Sequence, residues 1–88
     1  MELNLTDYQK MMFNYHVKST QFVKLGSKTT TCLLTVKNGF EIVGTSACVD
    51  PADFNEEIGN HFALVDALSK LDSFVGFARQ GSYEGLRG

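Results

Sequence analysis

The sequence predicts a small α+β protein in which a short helix, a two-stranded antiparallel hairpin and a long second helix follow one another. Three observations predict this order. A capping-box pattern begins the first helix, an Asn-Gly pair separates two β-rich runs, and a broad apolar stripe follows an Asp-Pro pair. The predicted elements are a helix over 6–19, a hairpin over 29–48, a helix over 51–72 and a tail over 73–88, within a single domain of residues 1–88.

Composition limits the classes of function open to this chain. Its 88 residues are 43% hydrophobic and 20% charged, which is typical of a folded domain. Because a chain this short buries only about 60 to 65% of its unfolded surface, a lone monomer is marginally stable unless disulfides, a metal or a partner chain help, and self-association is one option. The net charge of −2 argues against a DNA or RNA binder. With no apolar run long enough for a bilayer and no signal-peptide pattern, we expect a cytoplasmic protein without a membrane partner.

The first predicted helix begins at Thr6, with Gln9 completing the capping box. One helical stripe holds Tyr8, Met11, Met12 and Tyr15, while Phe13 and Val17 lie on another face. A first helix that is apolar on more than one side contacts another chain, a ligand or other elements of its own domain.

The predicted hairpin consists of two runs over 29–37 and 40–47 that are rich in Thr, Val, Leu and Ile. Between them, Asn38-Gly39 is the preferred pair for a two-residue type I′ turn. That turn sets a register in which Leu34 lies opposite Val43 and Cys32 lies opposite Thr45.

The predicted register divides the apolar side chains of the hairpin between its two faces. One face carries Cys32, Leu34, Val36 and Val43, and the other carries Leu33, Phe40 and Ile42. Both faces therefore need cover, since a two-stranded ribbon alone is marginal in water. The same register places Cys32 and Cys48 on opposite faces, so we expect two reduced cysteines.

The second predicted helix begins with Asp50 as N-cap and Pro51 at its first position. Gly59 within the apolar pattern costs about 1 kcal/mol relative to Ala, and close approach of another backbone would explain it. Asp72 and Ser73 are predicted to end or kink the helix.

No pattern in the chain indicates catalysis, a metal or a cofactor. Catalysis would need a histidine beside a cysteine and a group that orients the imidazole, and no such motif surrounds the two histidines or the two cysteines. Asp53, Glu56 and Glu57 resemble a carboxylate cluster, but their helical spacing favours a solvated first turn over a metal site. We therefore predict a protein that is not an enzyme.

Two features point to a small phosphate-bearing ligand. Lys24, Gly26, Ser27 and Lys28 place two cations and a hydroxyl in one short connection, which suits one or two phosphates although it lacks the P-loop pattern. An ordinary polar loop is the alternative. Tyr8, on the first turn of a helix, is placed to stack on a base, and the alternative is a core or interface tyrosine.

The hairpin and the start of the second helix also resemble a known family. The stretches 31–40 and 44–59 carry the patterns CxLTxKNGF and GxSACVDPxxFxxEIG, and the likeness spans roughly residues 29–71. They resemble a family of small tailed-phage proteins that act as anti-CBASS sponges. These sponges sequester the cyclic oligonucleotides with which a bacterial antiphage system activates its killing effectors.

The resemblance implies a compact homohexamer in the cytoplasm of the infected host, with cyclic dinucleotides bound between paired protomers. In the family a first-helix tyrosine stacks on a base and a lysine ahead of the hairpin meets phosphate. Tyr8 and Lys24 are the candidates here, and Tyr15, Lys18 or Lys28 are the alternatives.

Some relatives also hold cyclic trinucleotides at a separate site, where Ser46, Ala47 and Cys48 match the pattern. Beyond Leu71 the chain departs from the family, which carries a tryptophan there followed by Leu-Glu-Gly-Tyr. The leading hypothesis is a sponge that binds these messengers without cleaving them. The alternatives are a module that docks on a host protein and inhibits it and, ranked last, a nucleotide hydrolase.

Overall fold

A computed structural model describes residues 3–80 as one helix, a three-stranded antiparallel sheet and a long second helix. In chain order the elements are α1 (Asp7–His16), β1 (Val17–Leu25), β2 (Thr29–Val36), β3 (Glu41–Ala47), a 3-10 turn (Pro51–Asp53) and α2 (Glu56–Gln80). The strand order is β1-β2-β3, and α2 packs across β2 and β3. The predicted α+β class is confirmed, but the sheet has three strands and not two.

Helix α1 begins as predicted and ends earlier. The hydroxyl of Thr6 accepts from the Gln9 amide at 3.1 Å, and the Gln9 side chain accepts from the Thr6 amide at 2.8 Å. The helix ends at His16 because Val17 already has extended backbone angles, with its N–H bonded to the Phe13 carbonyl. The predicted extension of this helix to residue 19 is therefore wrong.

Strand β1 is the element that the sequence analysis missed. It pairs antiparallel with β2 from Leu25 opposite Thr29 back to Val17 opposite Val36, with an irregularity between Val17 and Ser19. Most of its side chains are exposed on both faces, since it is an edge strand that α2 does not cover. Val17 is buried and Phe22 packs against the core, but the strand lacks the strict alternation of apolar and polar residues by which a strand is identified.

The β2–β3 hairpin is confirmed, but its turn differs from the prediction. The Gly39 amide donates to the Val36 carbonyl, the Val36 amide donates to the Phe40 carbonyl, both at 2.8 Å, and Gly39 has a φ of 95°. This is a three-residue loop in which glycine adopts the left-handed conformation, and not a two-residue type I′ turn. The extra residue shifts the register by one, so Leu34 lies opposite Ile42.

The shifted register corrects the predicted faces of the hairpin. Ile42 lies on the buried face with Cys32 and Leu34, while Val43 lies with Leu33 on the outer face and is half exposed. The predicted placement of Cys32 and Cys48 on opposite faces therefore no longer follows from the register. Both thiols are free: Cys32 is enclosed in the core, and Cys48 follows the end of β3.

The second helix begins later than predicted. Asp50 caps only the 3-10 turn, with its carboxylate accepting from the Ala52 amide at 3.0 Å. Helix α2 has a separate start, where the Asn55 side chain accepts from the Ile58 amide at 3.0 Å.

Helix α2 also ends later than predicted. It continues through Asp72 and Ser73 to Gln80, so residues 73–80 of the predicted tail are helical, and residues 81–88 lie outside the described part. The two polar residues do not break the helix because both are bonded. Asp72 accepts from the Tyr8 hydroxyl, and the Ser73 hydroxyl donates to the Ser69 carbonyl at 3.3 Å.

Two glycines let the sheet and α2 approach each other closely. A Cβ on Gly44 of β3 would lie 2.3 Å from the Ala63 carbonyl oxygen and 2.4 Å from the Ala67 nitrogen. A Cβ on Gly59 would lie 2.5 Å from the Thr30 hydroxyl, so the neighbour of Gly59 is a side chain and not the predicted backbone. The buried core lies at this interface and consists of Met12, Val17, Cys32, Leu34, Ile42, Ala63, Ala67, Leu68 and Leu71.

Two charged side chains of α2 occupy the outer edge of β3. Asp66 accepts from the Thr45 amide at 2.9 Å, and the Lys70 ammonium donates to the Val43 carbonyl at 2.8 Å. The two side chains also form an ion pair at 3.2 Å. The bond from Thr45, assisted by Lys70, lowers the pKa of Asp66 below its ordinary value.

Candidate ligand-binding site

Tyr8 lies on α1 beside an open, largely apolar cavity of about 360 Å³. Its ring is 53% exposed, and its hydroxyl donates to the Asp72 carboxylate on α2, which fixes the position of the ring. The other cavity residues are Met11, Met12, Tyr15, His16, Val75 and Gly76. A tethered, half-exposed ring beside an apolar cavity is suited to stack against a flat ligand.

Lys24 lies on β1 near the start of α2. Its ammonium is 4.3 Å from the centroid of the Phe54 ring, a cation–π contact. It lines a cavity of about 250 Å³ together with Phe22, Thr30, Phe54, Glu56 and Asn60. Among the residues that the structure describes, no carboxylate forms an ion pair with Lys24. Lys24 is an exposed residue whose ammonium lies over an aromatic ring, a position that suits contact with an anionic ligand.

The remaining predicted residues gather around the β1–β2 turn. Lys28, Ser46, Ala47 and Cys48 line a cavity of about 130 Å³ with residues of the 3-10 turn and α2. The Cys48 amide donates to the Lys28 carbonyl at 3.0 Å, and the Lys28 ammonium donates to the Val49 carbonyl at 3.4 Å. The structure therefore joins residues predicted separately from the basic loop and from the family pattern.

Gly26 and Ser27 lie in the same turn but do not line that cavity. Gly26 has a φ of 73°, the left-handed conformation that a tight turn between β1 and β2 requires. In the single chain these two residues shape the loop that carries Lys28.

One protomer does not bring Tyr8 and Lys24 to a common point. Tyr8 contacts α2 at Asp72, whereas Lys24 shares its cavity with Asn60 of the same helix. Asn60 and Asp72 are twelve residues apart, which is about 18 Å at 1.5 Å per residue. Tyr8 and Lys24 therefore line two separate cavities of one chain.

The structure also places Cys32 and the two histidines. Burial raises the pKa of Cys32 to about 11, so this thiol stays protonated at neutral pH. Within residues 3–80 no three His, Cys, Asp or Glu side chains converge as a metal site. The rings of the two histidines pack edge-on against neighbouring aromatic side chains, His16 on Tyr15 and His61 on Phe62.

Sequence analysis missed several residues of these cavities. The sequence analysis places Glu56 in a solvated first turn and singles out neither Phe54 nor Asn60, yet all three surround Lys24. The spacing of Glu56 and Asn60, four residues apart on one helix face, is a signal in the sequence. The bond between Asp72 and Tyr8 joins residues 64 positions apart, and no local pattern predicts it.

The fold and its cavities define a small α+β protein whose described helices are not long and apolar enough to cross a membrane. Residues 4–82 match the model of the Phage protein (N4 Gp49/phage Sf6 gene 66) family. Because this match covers most of the chain, the protein belongs to that family and is a small bacteriophage protein. No curated protein and no solved structure gives a significant match.

Proposed function

We propose that this phage protein is an anti-CBASS sponge, which binds the cyclic dinucleotides of the host antiphage system between two protomers and does not cleave them. The observation that carries the proposal is the separation of Tyr8 and Lys24. Each is exposed beside its own open cavity, about 18 Å apart along α2. A two-fold symmetric ligand placed between two symmetric protomers contacts Tyr8 of one and Lys24 of the other, and does so twice.

Such a site accounts for tight binding of a ligand that undergoes no reaction. Stacking contributes about 1 to 3 kcal/mol per base, and a hydrogen bond to a charged group about 1.5 to 3 kcal/mol. Two stacks and two phosphate contacts therefore supply about 5 to 12 kcal/mol before the entropic cost of association. Sequestration requires affinity and abundance, so a catalytic group is not part of the proposal.

Exposed apolar side chains support the assembly that the proposal needs. Met11 and Tyr15 are exposed along α1, and Val23 and Val43 are half exposed on the outer face of the sheet. Contiguous apolar surface of this kind is typical of sites that meet another chain. The proposal includes a homo-oligomer, a hexamer by resemblance, in the cytoplasm of the infected host, without DNA, RNA or a membrane as partner.

The cavity at Lys28 supports a second, separate site for cyclic trinucleotides. Ser46, Ala47 and Cys48 match the family pattern for that ligand, and they line one cavity with Lys28. The Lys28 ammonium, which also donates to the Val49 carbonyl, supplies positive charge for a phosphate in a cavity that Asp53 lines as well.

The first experiment tests retention and cleavage together. Purified protein is incubated with a 3′,3′ cyclic dinucleotide, freed of unbound ligand and heat-denatured, and the released molecule is identified by mass spectrometry. Intact ligand supports the sponge. Linear products would indicate a hydrolase, and no retention would contradict the proposal.

Titration calorimetry then tests the two residues. Tyr8→Ala should lose the stack and Lys24→Ala the phosphate contact, each weakening binding by about tenfold or more without changing the oligomer in size-exclusion chromatography. Lys10→Ala, an exposed lysine on α1 that lines none of the described cavities, is the control. Unchanged affinity in both variants would refute this assignment of the site.

A second candidate function rests on the exposed stripe of α1. The exposed side chains of Tyr8, Met11 and Tyr15 are also suited to dock on a host protein and inhibit it. A stoichiometric host protein captured from lysate, with no nucleotide co-purifying, would favour this candidate over the sponge.

A further inference from the structure

The Lys24 cavity contains a carboxylate as well as an ammonium. Glu56 in the first turn of α2 and Asn60 one turn later both line it. In the described part of the chain neither side chain is hydrogen-bonded, and Glu56 forms no ion pair with Lys24. The Lys24 ammonium and the Glu56 carboxylate thus line one cavity without forming an ion pair, and the Asn60 amide lines it too.

This arrangement does not suit a phosphate alone. A carboxylate repels phosphate, so Glu56 needs a part of the ligand that presents hydrogen-bond donors. Asn60 offers an amide that both donates and accepts. Phe22 and Phe54 form apolar walls of the same cavity. Because the Lys24 ammonium lies over the Phe54 ring, Phe22 is the wall that suits the face of a flat ring.

Resting on the proposed function, we infer that this cavity selects guanine among the bases of a cyclic dinucleotide. The Watson–Crick edge of guanine presents O6, N1–H and the N2 amino group in a row. Glu56 accepts from N1–H and N2–H, Asn60 donates to O6, and Lys24 pairs with the adjoining phosphate. Glu56 and Asn60 lie four residues apart on one helix face, and so they are neighbours able to address one base edge.

The other bases lack this match. Adenine and cytosine each pair one amino donor with an adjacent ring nitrogen that accepts, and that nitrogen faces the carboxylate unfavourably. Uracil places its single N–H between two carbonyl oxygens. A hydrogen bond to a charged group corresponds to about 10- to 150-fold in affinity, so 3′,3′ cyclic di-GMP should bind at least tenfold more tightly than 3′,3′ cyclic di-AMP.

Calorimetric titration of the full chain with both dinucleotides tests the inference. Glu56→Gln should weaken binding of cyclic di-GMP by about tenfold or more and leave cyclic di-AMP nearly unchanged. Glu57→Gln is the matched control, because it removes the same charge from the same helical turn at a residue that does not line the cavity. Thermal unfolding checks that both variants fold alike, and Asn60→Ala provides a second variant with the same expected selectivity.

The outcomes separate this inference from the proposed function. Equal affinity of the wild-type protein for the two dinucleotides, or equal effects of Glu56→Gln and Glu57→Gln, would overturn guanine selection and leave the sponge intact. Retention of neither dinucleotide would overturn the proposed function, and guanine selection with it.

Discussion

The close approach of β3 and α2 gives the sharpest prediction about stability. In Gly44→Ala the new Cβ would lie 2.3 Å from the Ala63 carbonyl oxygen, 2.4 Å from the Ala67 nitrogen and 2.8 Å from the Ala67 Cβ. Carbon atoms in contact prefer about 3.5 to 4.0 Å, so the helix must move away from the strand by about 1 Å. The two nearest atoms belong to the helix backbone, and a change of rotamer does not relieve the clash.

The expected cost follows from that displacement. Overpacking a core costs about 1 to 3 kcal/mol and occasionally more. The new methyl group clashes with two backbone atoms of α2, which places Gly44→Ala at or above the upper end of that range. The whole stability of 88 residues is about 4 to 13 kcal/mol at usual per-residue values. The substitution should therefore remove a quarter or more of the free energy of unfolding.

Urea denaturation followed by circular dichroism, at one fixed protein concentration, measures this loss. Gly76→Ala is the control, since a Cβ there meets nothing within 4 Å. It should raise stability by about 0.5 to 1 kcal/mol through helix propensity. A Gly44→Ala protein as stable as the wild type would refute the argument that a close backbone contact requires this glycine.

Two further predictions concern titratable groups. A thiol reagent at pH 8 should label Cys48 and spare Cys32, whose burial raises its pKa to about 11; labelling of two thiols per native chain would contradict this. Folding lowers the pKa of Asp66, so its carboxylate should stabilise the protein fully at pH values above the ordinary pKa of 3.8. This stabilisation should be lost as the pH falls through the lower pKa of the folded state. The difference in urea midpoint between wild type and Asp66→Asn should shrink over that interval, and a difference independent of pH would count against it.

Local signals predicted much of the fold. The Thr6 capping box and the Asn38-Gly39 turn depend on side chains within a few residues of each other, and both elements are present. The register failed by one residue because an Asn-Gly pair fits both a two-residue turn and a three-residue loop with a left-handed glycine. The choice between the two turns depends on the register that places Gly44 against α2, and this contact between distant parts of the chain is not visible in the local sequence.

The remaining differences have the same origin. Strand β1 is stabilised by pairing with β2 and not by burial of one face, so it carries a weak sequence pattern. Helix α2 passes through Asp72 because a distant tyrosine bonds to it. Among the candidate site residues, Tyr8 and Lys24 can be identified from the sequence by their chemical type. Glu56 and Asn60 become candidates only in the folded chain, where β1 places Lys24 in the same cavity.

The ion pair of Asp66 and Lys70 has a consequence for how the sheet can grow. It occupies an outward amide and an outward carbonyl of β3, which an added strand would otherwise use. In the described residues the outer edge of β1 has no such cover. A sheet open at one edge can join a second copy edge to edge, and the pair then presents at both ends a β3 edge whose Thr45 amide and Val43 carbonyl are already bonded. Growth stops at two sheets, so this surface favours a finite assembly over a fibre.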